Sequence, residues 1–149
     1  MSFNKTISEQ IDAVAQLWPT FQVTESDQES VSWIGTLRPL MCQYTVEIAY
    51  RLPMPVEVPD PMRHQPVVCV KNPPLKHRRH DREGTLPHVY WDAEGNPSLC
   101  LFDPRTEEWS PAALIAETTI PWAADWLGCY EGWRATGVWT GGGTHTYID

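Results

Sequence analysis

The chain has 149 residues, of which 42% are hydrophobic and 20% charged, and this composition is typical of one globular domain spanning residues 1–149. The net charge of -8 argues against broad binding to nucleic acid or to anionic lipid. No apolar run approaches the roughly 18 residues that a membrane-spanning helix requires, and the N-terminus does not resemble a signal or transit peptide. We therefore expect a cytoplasmic protein without membrane contact.

Periodic apolar residues predict four regular elements in the first half of the chain. The spacing between Ile7 and Trp18 predicts an amphipathic helix that Pro19 ends. Alternating apolar residues predict strands at 31–37 and 44–50. Several prolines then predict an extended loop, and the run 67–70, apolar on both faces, predicts a central strand.

The residue pattern in the second half of the chain predicts a long irregular segment followed by helices. Residues 72–99 show almost no periodicity, and loops of this length in compact domains are usually functional or disordered. The apolar residues Leu86, Val89, Tyr90 and Trp91 argue against disorder. Ser110 before Pro111 predicts the start of one helix, and Pro121 predicts the start of another, with Cys129 on its core face. The glycine-rich tail from about Gly137 is expected to be flexible. This order of elements indicates an α+β fold with helices segregated from an antiparallel sheet.

The cysteines are best considered individually. Four cysteines without close spacing do not form a disulfide scaffold or a zinc site, so we expect neither a metal nor a cofactor. Cys100 lies in the short apolar run 99–102, after a turn at 95–97 and outside any periodic face. Because a loop cysteine beside polar groups is more often exposed and reactive, Cys100 is a candidate nucleophile. The alternative is a packed small hydrophobic residue.

Basic side chains are concentrated in one stretch of this acidic chain. Five of the eleven lysines and arginines lie in the run Lys71, Lys76, Arg78, Arg79 and Arg82. Such runs are commonly solvated loops. The functional interpretation is a docking patch for an acidic partner surface, with Lys76, Arg78 and Arg79 as candidate contacts. A nucleic-acid contact that also uses Tyr90 and Trp91 is a further alternative, which the net charge disfavours.

The irregular segment resembles the active-site segment of ubiquitin-conjugating enzymes. The matching residues follow the family's order: Pro87-His88-Val89-Tyr90, Gly95, Leu99-Cys100-Leu101 and Trp109-Ser110-Pro111. The resemblance implies the ubiquitin-conjugating (UBC) fold, an α+β domain with an N-terminal helix, a four-stranded antiparallel meander, a long active-site flap and C-terminal helices. It also implies an acyl transferase in which Cys100 carries the acyl group as a thioester.

Departures from the eukaryotic pattern resemble a bacterial branch of the family. Leu86 stands at the usual histidine position and His88 at the usual asparagine position, so the oxyanion-stabilising asparagine is missing. The tryptophan-rich C-terminal region resembles the ubiquitin-conjugating-like proteins of CBASS antiphage operons, which act on a cGAS/DncV-like nucleotidyltransferase. The resemblance implies a short stand-alone form whose Cys100 bonds the C-terminal tail of that partner.

The resemblance also assigns candidate roles to neighbouring residues. His88 can donate a hydrogen bond from a ring nitrogen and replace the missing amide donor, or it can serve only to close the flap. Asp92 and Asp103 are candidate acids for orienting or deprotonating the incoming amine, although Asp103 precedes Pro104 and is equally interpretable as a turn residue. The main alternative function is a non-catalytic UBC-fold scaffold that binds and regulates the nucleotidyltransferase.

Overall fold

The computed structural model describes residues 3–54, 56, 64–77, 86–102 and 108–140. Regular elements within these residues are helix α1, strands β1 to β6, one 3-10 helix and helix α2. Their bounds are α1 Ile7–Leu17, β1 Gln22–Ser26, β2 Ser30–Leu37, β3 Tyr44–Arg51, β4 Val67–Asn72, β5 Val89–Trp91, β6 Pro97–Leu99, the 3-10 helix Ile115–Glu117 and α2 Thr119–Thr136. The chain is therefore an α+β protein, and this arrangement is consistent with a UBC-like fold.

The main sheet is an antiparallel meander in the order β1-β2-β3-β4. The strands predicted at 31–37, 44–50 and 67–70 are confirmed, and in β2 and β3 fully buried residues alternate with half-buried ones. Periodicity does not predict β1, because all five of its residues are exposed and no apolar alternation marks an inner face. The resemblance correctly implied a sheet of four strands.

The expectation that residues 67–70 form a central strand is wrong. β4 is the last strand of the sheet and pairs with β3 at one edge only, among the strands that the structure describes. Val67 is 46% exposed, whereas Val68 is buried. The hairpin strand β6 lies beside β4, which explains why an edge strand carries so many apolar side chains.

Buried side chains from the sheet, both helices and the hairpin form one core. Gly35 occupies an inward position of β2, where a Cβ atom would lie 2.3 Å from the ring of Phe21. Because Phe21 is itself buried, the ring covers the glycine directly. A larger residue at this position would displace the ring, so close packing explains the glycine in the apolar row.

The predicted N-terminal helix is confirmed as α1, which begins with a capping box between Thr6 and Glu9. Ile7 and Val14 are buried as expected, but the inner face also carries the buried polar residue Gln10. The Gln10 side-chain amide donates to the Ala113 carbonyl at 2.9 Å and accepts from the Ile115 N–H at 2.9 Å. These two bonds attach α1 to the segment that leads into α2.

The helix predicted from Ser110 is absent as an α-helix, and this expectation is wrong. The Ser110 hydroxyl accepts a hydrogen bond from the Ala112 N–H at 3.2 Å, and its carbonyl accepts one from the Ala113 N–H at 2.9 Å. The chain therefore forms a turn, followed by the short 3-10 helix. The Gln10 amide bonds backbone groups that an α-helix would use internally, which gives a physical reason for the turn.

The helix predicted near Pro121 is confirmed as α2 and begins two residues earlier. Trp126, Tyr130 and Trp133 are buried along its predicted apolar face, while Trp122 is half-buried. Within the residues described, neither helix is long and apolar enough to cross a membrane.

Candidate active site

The segment expected to be irregular contains the hairpin β5–β6. Val89 pairs with Leu99 and Trp91 with Pro97, and Gly95 has the left-handed φ of 84° that the connecting turn requires. The Asp92 carboxylate accepts hydrogen bonds from the N–H groups of Glu94 and Asn96, at 2.9 and 2.8 Å. Periodicity does not predict these two strands, because three residues are too few to show alternation.

Cys100 immediately follows β6 and faces inward. Its N–H donates to the His88 carbonyl at 3.0 Å, which extends the hairpin pairing by one step. Its sulfur lies 3.2 Å from the Tyr90 hydroxyl oxygen and 3.4 Å from the Phe102 carbonyl oxygen, and its single S–H can donate to either acceptor. Cys100 is only 1% exposed, so the expectation of an exposed loop cysteine is wrong. The hairpin pairing, which sequence periodicity does not show, turns the side chain toward the core.

His88 connects the hairpin with α2. Its carbonyl accepts both the Cys100 N–H and the indole N–H of Trp126, the latter at 2.9 Å. His88 has a φ of 55°, a left-handed conformation that is uncommon outside glycine, asparagine, aspartate and histidine. Its ring packs on the ring of Trp139 with centroids 4.8 Å apart. The backbone and the ring of His88 therefore both hold fixed positions beside Cys100.

A cavity of about 450 Å³ brings the two principal candidate residues together. Its wall on the hairpin side includes His88 and Cys100, and its wall on the α2 side includes Trp126 and Cys129. The remaining lining residues are Pro39, Leu40, Leu101, Trp122, Ala124, Asp125, Gly128, Trp139 and Thr140. A cavity of this size is in the range of ligand sites and has room for a short peptide segment.

Cys129 is the second thiol of this cavity. It is half-buried, so the expectation of a core residue holds for only part of its side chain. Burial raises the pKa of the Cys129 thiol, the negative charge of Asp125 raises it further, and a hydrogen bond with the Thr140 side chain acts in the opposite direction. Asp125, which also lines the cavity, was not among the residues predicted from the sequence. Its helical spacing of four residues from Cys129 is the signal that places both on one face.

The structure does not bring the other described candidates to this cavity. Asp92 lies in the hairpin turn, where hydrogen bonds from the N–H groups of Asn96 and Glu94 lower the pKa of its exposed carboxyl group. Lys76 is exposed, and its backbone N–H donates to the Tyr130 hydroxyl at 2.7 Å. Asp103, Arg78 and Arg79 lie outside the described residues. Within the part of the chain that is described, no three His, Cys, Asp or Glu side chains are grouped to hold a metal ion.

The family described as Type II CBASS E2 protein matches residues 10–146. The chain belongs to this family. Comparison with curated proteins gives no match. Membership gives this CBASS E2 protein an E2-like role in the CBASS antiviral system. It confirms the family that the tryptophan-rich C-terminal region suggested.

The expected flexible tail is partly inside the site of this CBASS E2 protein. Gly137 caps α2 in a left-handed conformation, and Trp139 packs on both His88 and Trp126. Trp139 is therefore part of the aromatic cluster at the cavity, and the flexibility of the tail from about Gly137 stays a prediction. The rest of the tail, residues 141–149, is outside the described ranges.

Proposed function

We propose that the protein is a ubiquitin-conjugating-like acyl transferase that holds the C-terminus of a cGAS/DncV-like nucleotidyltransferase as a thioester on Cys100. Transfer of this acyl group to an amine would conjugate the nucleotidyltransferase and promote its activation in antiphage defence. The observation that carries the proposal is the pairing of Cys100 with His88 in one cavity, through a direct backbone hydrogen bond. In this proposal, the hairpin and the segment before it are the counterpart of the active-site flap.

The acyl group is taken up in a balanced exchange. The Cys100 thiol loses its proton to solvent, and the thiolate attacks a C-terminal carbonyl already activated as a thioester or an anhydride. The bond to the leaving group breaks, the leaving group departs with the electron pair, and a Cys100 thioester remains. An amine then attacks this thioester and loses a proton to a carboxylate or to solvent. An amide bond forms, and Cys100 departs as the thiolate with the electron pair.

Two side chains support the charged species in this exchange. The Tyr90 hydroxyl lies 3.2 Å from the Cys100 sulfur, where its O–H can donate to the thiolate once the thiol has lost its proton. His88 lines the same cavity and supplies a ring N–H to the oxygen that becomes negative in the tetrahedral intermediate. Histidine thereby takes the place of the asparagine that the wider family uses.

The acceptor side and the docking surface remain predictions from the sequence. Asp92 and Asp103 are the proposed acids for the incoming amine; Asp92 would act from the hairpin turn, where it already bonds two backbone N–H groups. Lys76, Arg78 and Arg79 are the proposed contacts for an acidic surface of the nucleotidyltransferase. Such contacts mainly raise the association rate and weaken as salt is added.

A second function is favoured by one observation, the 1% exposure of Cys100. A buried thiol that already donates hydrogen bonds within the protein is typical of a packed structural cysteine. In this alternative the protein is a non-catalytic UBC-fold scaffold that binds and regulates the nucleotidyltransferase. Binding would then not depend on any thiol.

Cysteine variants incubated with the nucleotidyltransferase, its C-terminus prepared as a thioester, separate the two functions. The native protein should form an adduct that a thiol reductant releases, Cys100→Ala should form none, and Cys129→Ala should still form it. Cys100→Ser should give a longer-lived ester. Since Cys129 lines the same cavity, its variant controls for disturbance of the cavity itself. If Cys100→Ala binds the nucleotidyltransferase as tightly as the native protein does, and neither the native protein nor any variant forms an adduct, the scaffold function is correct.

A further inference from the structure

The end of α2 reverses the chain direction toward the cavity. Gly137 has a φ of 84°, and its N–H donates to the Trp133 carbonyl at 2.8 Å. The Thr136 hydroxyl donates to the Gly132 carbonyl at 2.8 Å and accepts the Val138 N–H at 3.1 Å. Glycine is the residue best suited to this left-handed cap. The cap therefore fixes the direction in which the chain leaves the helix.

The reversed chain places two residues in the cavity wall, Trp139 and Thr140. The Trp139 ring lies 4.8 Å from the His88 ring and 5.1 Å from the Trp126 ring, centroid to centroid. The Thr140 side chain hydrogen-bonds with Cys129. The preceding residue, Val138, is 58% exposed. Trp139 is half-buried whereas Thr140, like Val138, is exposed, so the inward position in this segment belongs to Trp139.

The Cys100 thiol, in the wall of the same cavity, is shielded from solvent. Cys100 lines a cavity of about 450 Å³, yet its own exposure is only 1%. An acyl donor has to bring its carbonyl carbon into bonding contact with the sulfur. His88, the other residue with a proposed role, has its ring packed on Trp139. Both groups therefore need a change in the surrounding wall before a peptide can reach them.

We propose that Trp139 is a gate over Cys100 and His88, closed in the free protein and displaced by the acyl donor. The proposal deepens the proposed function and rests on it for the identity of the donor. Trp139 makes side-chain ring contacts here, and the helix cap at Gly137 precedes it. Trp139 can therefore leave the wall while α2 stays folded. The gate keeps the thiol from reacting with small solutes until a tail of the partner occupies the cavity.

Thiol labelling of the free protein tests the gate without any acyl donor. Native protein, Trp139→Ala and Val138→Ala are treated with a bulky maleimide, and the labelling rate of each cysteine is followed by peptide mass spectrometry. Trp139→Ala should label Cys100 at least tenfold faster than the native protein. Val138→Ala, the matched control in the exposed neighbour, should label Cys100 at the native rate.

Two other cysteines distinguish opening of the gate from general loosening of the fold. Exposed Cys42 reports reagent activity, and half-buried Cys69, on β4, reports the sheet. Faster labelling of Cys100 with unchanged Cys69 supports the gate. An unchanged Cys100 rate, or a parallel rise at Cys69, overturns it. Because labelling needs no partner, the gate can stand when adduct formation with the nucleotidyltransferase fails, and adduct formation can stand when the gate fails.

Discussion

The two walls of the cavity each present a thiol but hold it by different means. On the hairpin wall, Cys100 is fixed by a backbone hydrogen bond to His88 and lies 3.2 Å from the Tyr90 hydroxyl oxygen. On the helix wall, Cys129 is placed by the periodicity of α2, close enough to Asp125 for that carboxylate to raise its pKa. A hydroxyl group can donate to a thiolate, whereas a carboxylate repels one.

This difference shows why a shared cavity does not make two cysteines equivalent. The hairpin wall supplies a donor beside the sulfur and an imidazole in the same wall. Burial disfavours the thiolate on both walls, and on the helix wall the negative charge of Asp125 disfavours the Cys129 thiolate further. This contrast supports the proposal that Cys100, rather than Cys129, carries the acyl group. Single-residue variants test the contribution of each wall separately.

The largest effect is expected at His88. His88→Ala should slow acyl transfer about 10²–10³-fold, the usual cost of removing one oxyanion donor. His88→Asn should retain most of the rate, because asparagine also supplies a donor and tolerates the left-handed backbone at φ 55°. Single-turnover transfer rates measure this. The opposite pattern, in which both variants keep the rate and only lower the melting temperature, would make His88 structural.

A smaller effect is expected at Tyr90. Tyr90→Phe removes the hydroxyl beside the Cys100 sulfur and leaves the ring in place. A hydrogen bond to a charged group contributes about 1.5–3 kcal/mol, so thiolate formation should weaken by roughly tenfold to a hundredfold. The measurement is the pH dependence of Cys100 alkylation, which should shift to higher pH in Tyr90→Phe. A profile that stays unchanged would show that the hydroxyl does not stabilise the thiolate.

The smallest effect is expected on the helix wall. Asp125→Asn removes the negative charge that raises the pKa of Cys129. The pKa should therefore fall, and the thiolate fraction and the alkylation rate of Cys129 should rise by a few fold at neutral pH. Burial still raises the pKa, so the rise stays small. Cys100 serves as the internal control. If alkylation of Cys100 in Asp125→Asn accelerates as much as alkylation of Cys129, the charge of Asp125 acts on both thiols.

Most of the sheet and both helices could be predicted from the sequence, whereas the site could be predicted only in part. Alternation marks β2 and β3, and 3.6-residue spacing marks α1 and α2, because each buries one face. The helix predicted from Ser110 does not form, although the local sequence has the pattern of a helix start. The side chain of Gln10, distant in sequence, hydrogen-bonds this segment and stabilises a turn. Local sequence carries no information on a partner so far along the chain.

Within the site, the motif identified Cys100 and His88, but neither burial nor the opposite wall could be predicted. The inward direction of Cys100 follows from a hairpin too short to show a period. The proximity of Asp125 and Trp139 to the hairpin depends on how α2 packs, which local patterns do not determine. The family assignment extends over residues 10–146 and leaves these individual roles to experiment.

The central claim, that Cys100 is the acyl carrier, is tested most directly by exchange with a synthetic acyl donor. The native protein is mixed with a short glycine-ended peptide thioester of mercaptoethanesulfonate, which needs no activating enzyme. Peptide mapping at mildly acidic pH then locates the acyl group among the four cysteines. The account predicts the peptide on Cys100, with Cys129 unmodified, and faster exchange in Trp139→Ala. Acylation of Cys129 with Cys100 left free, or of exposed Cys42 alone, would contradict it.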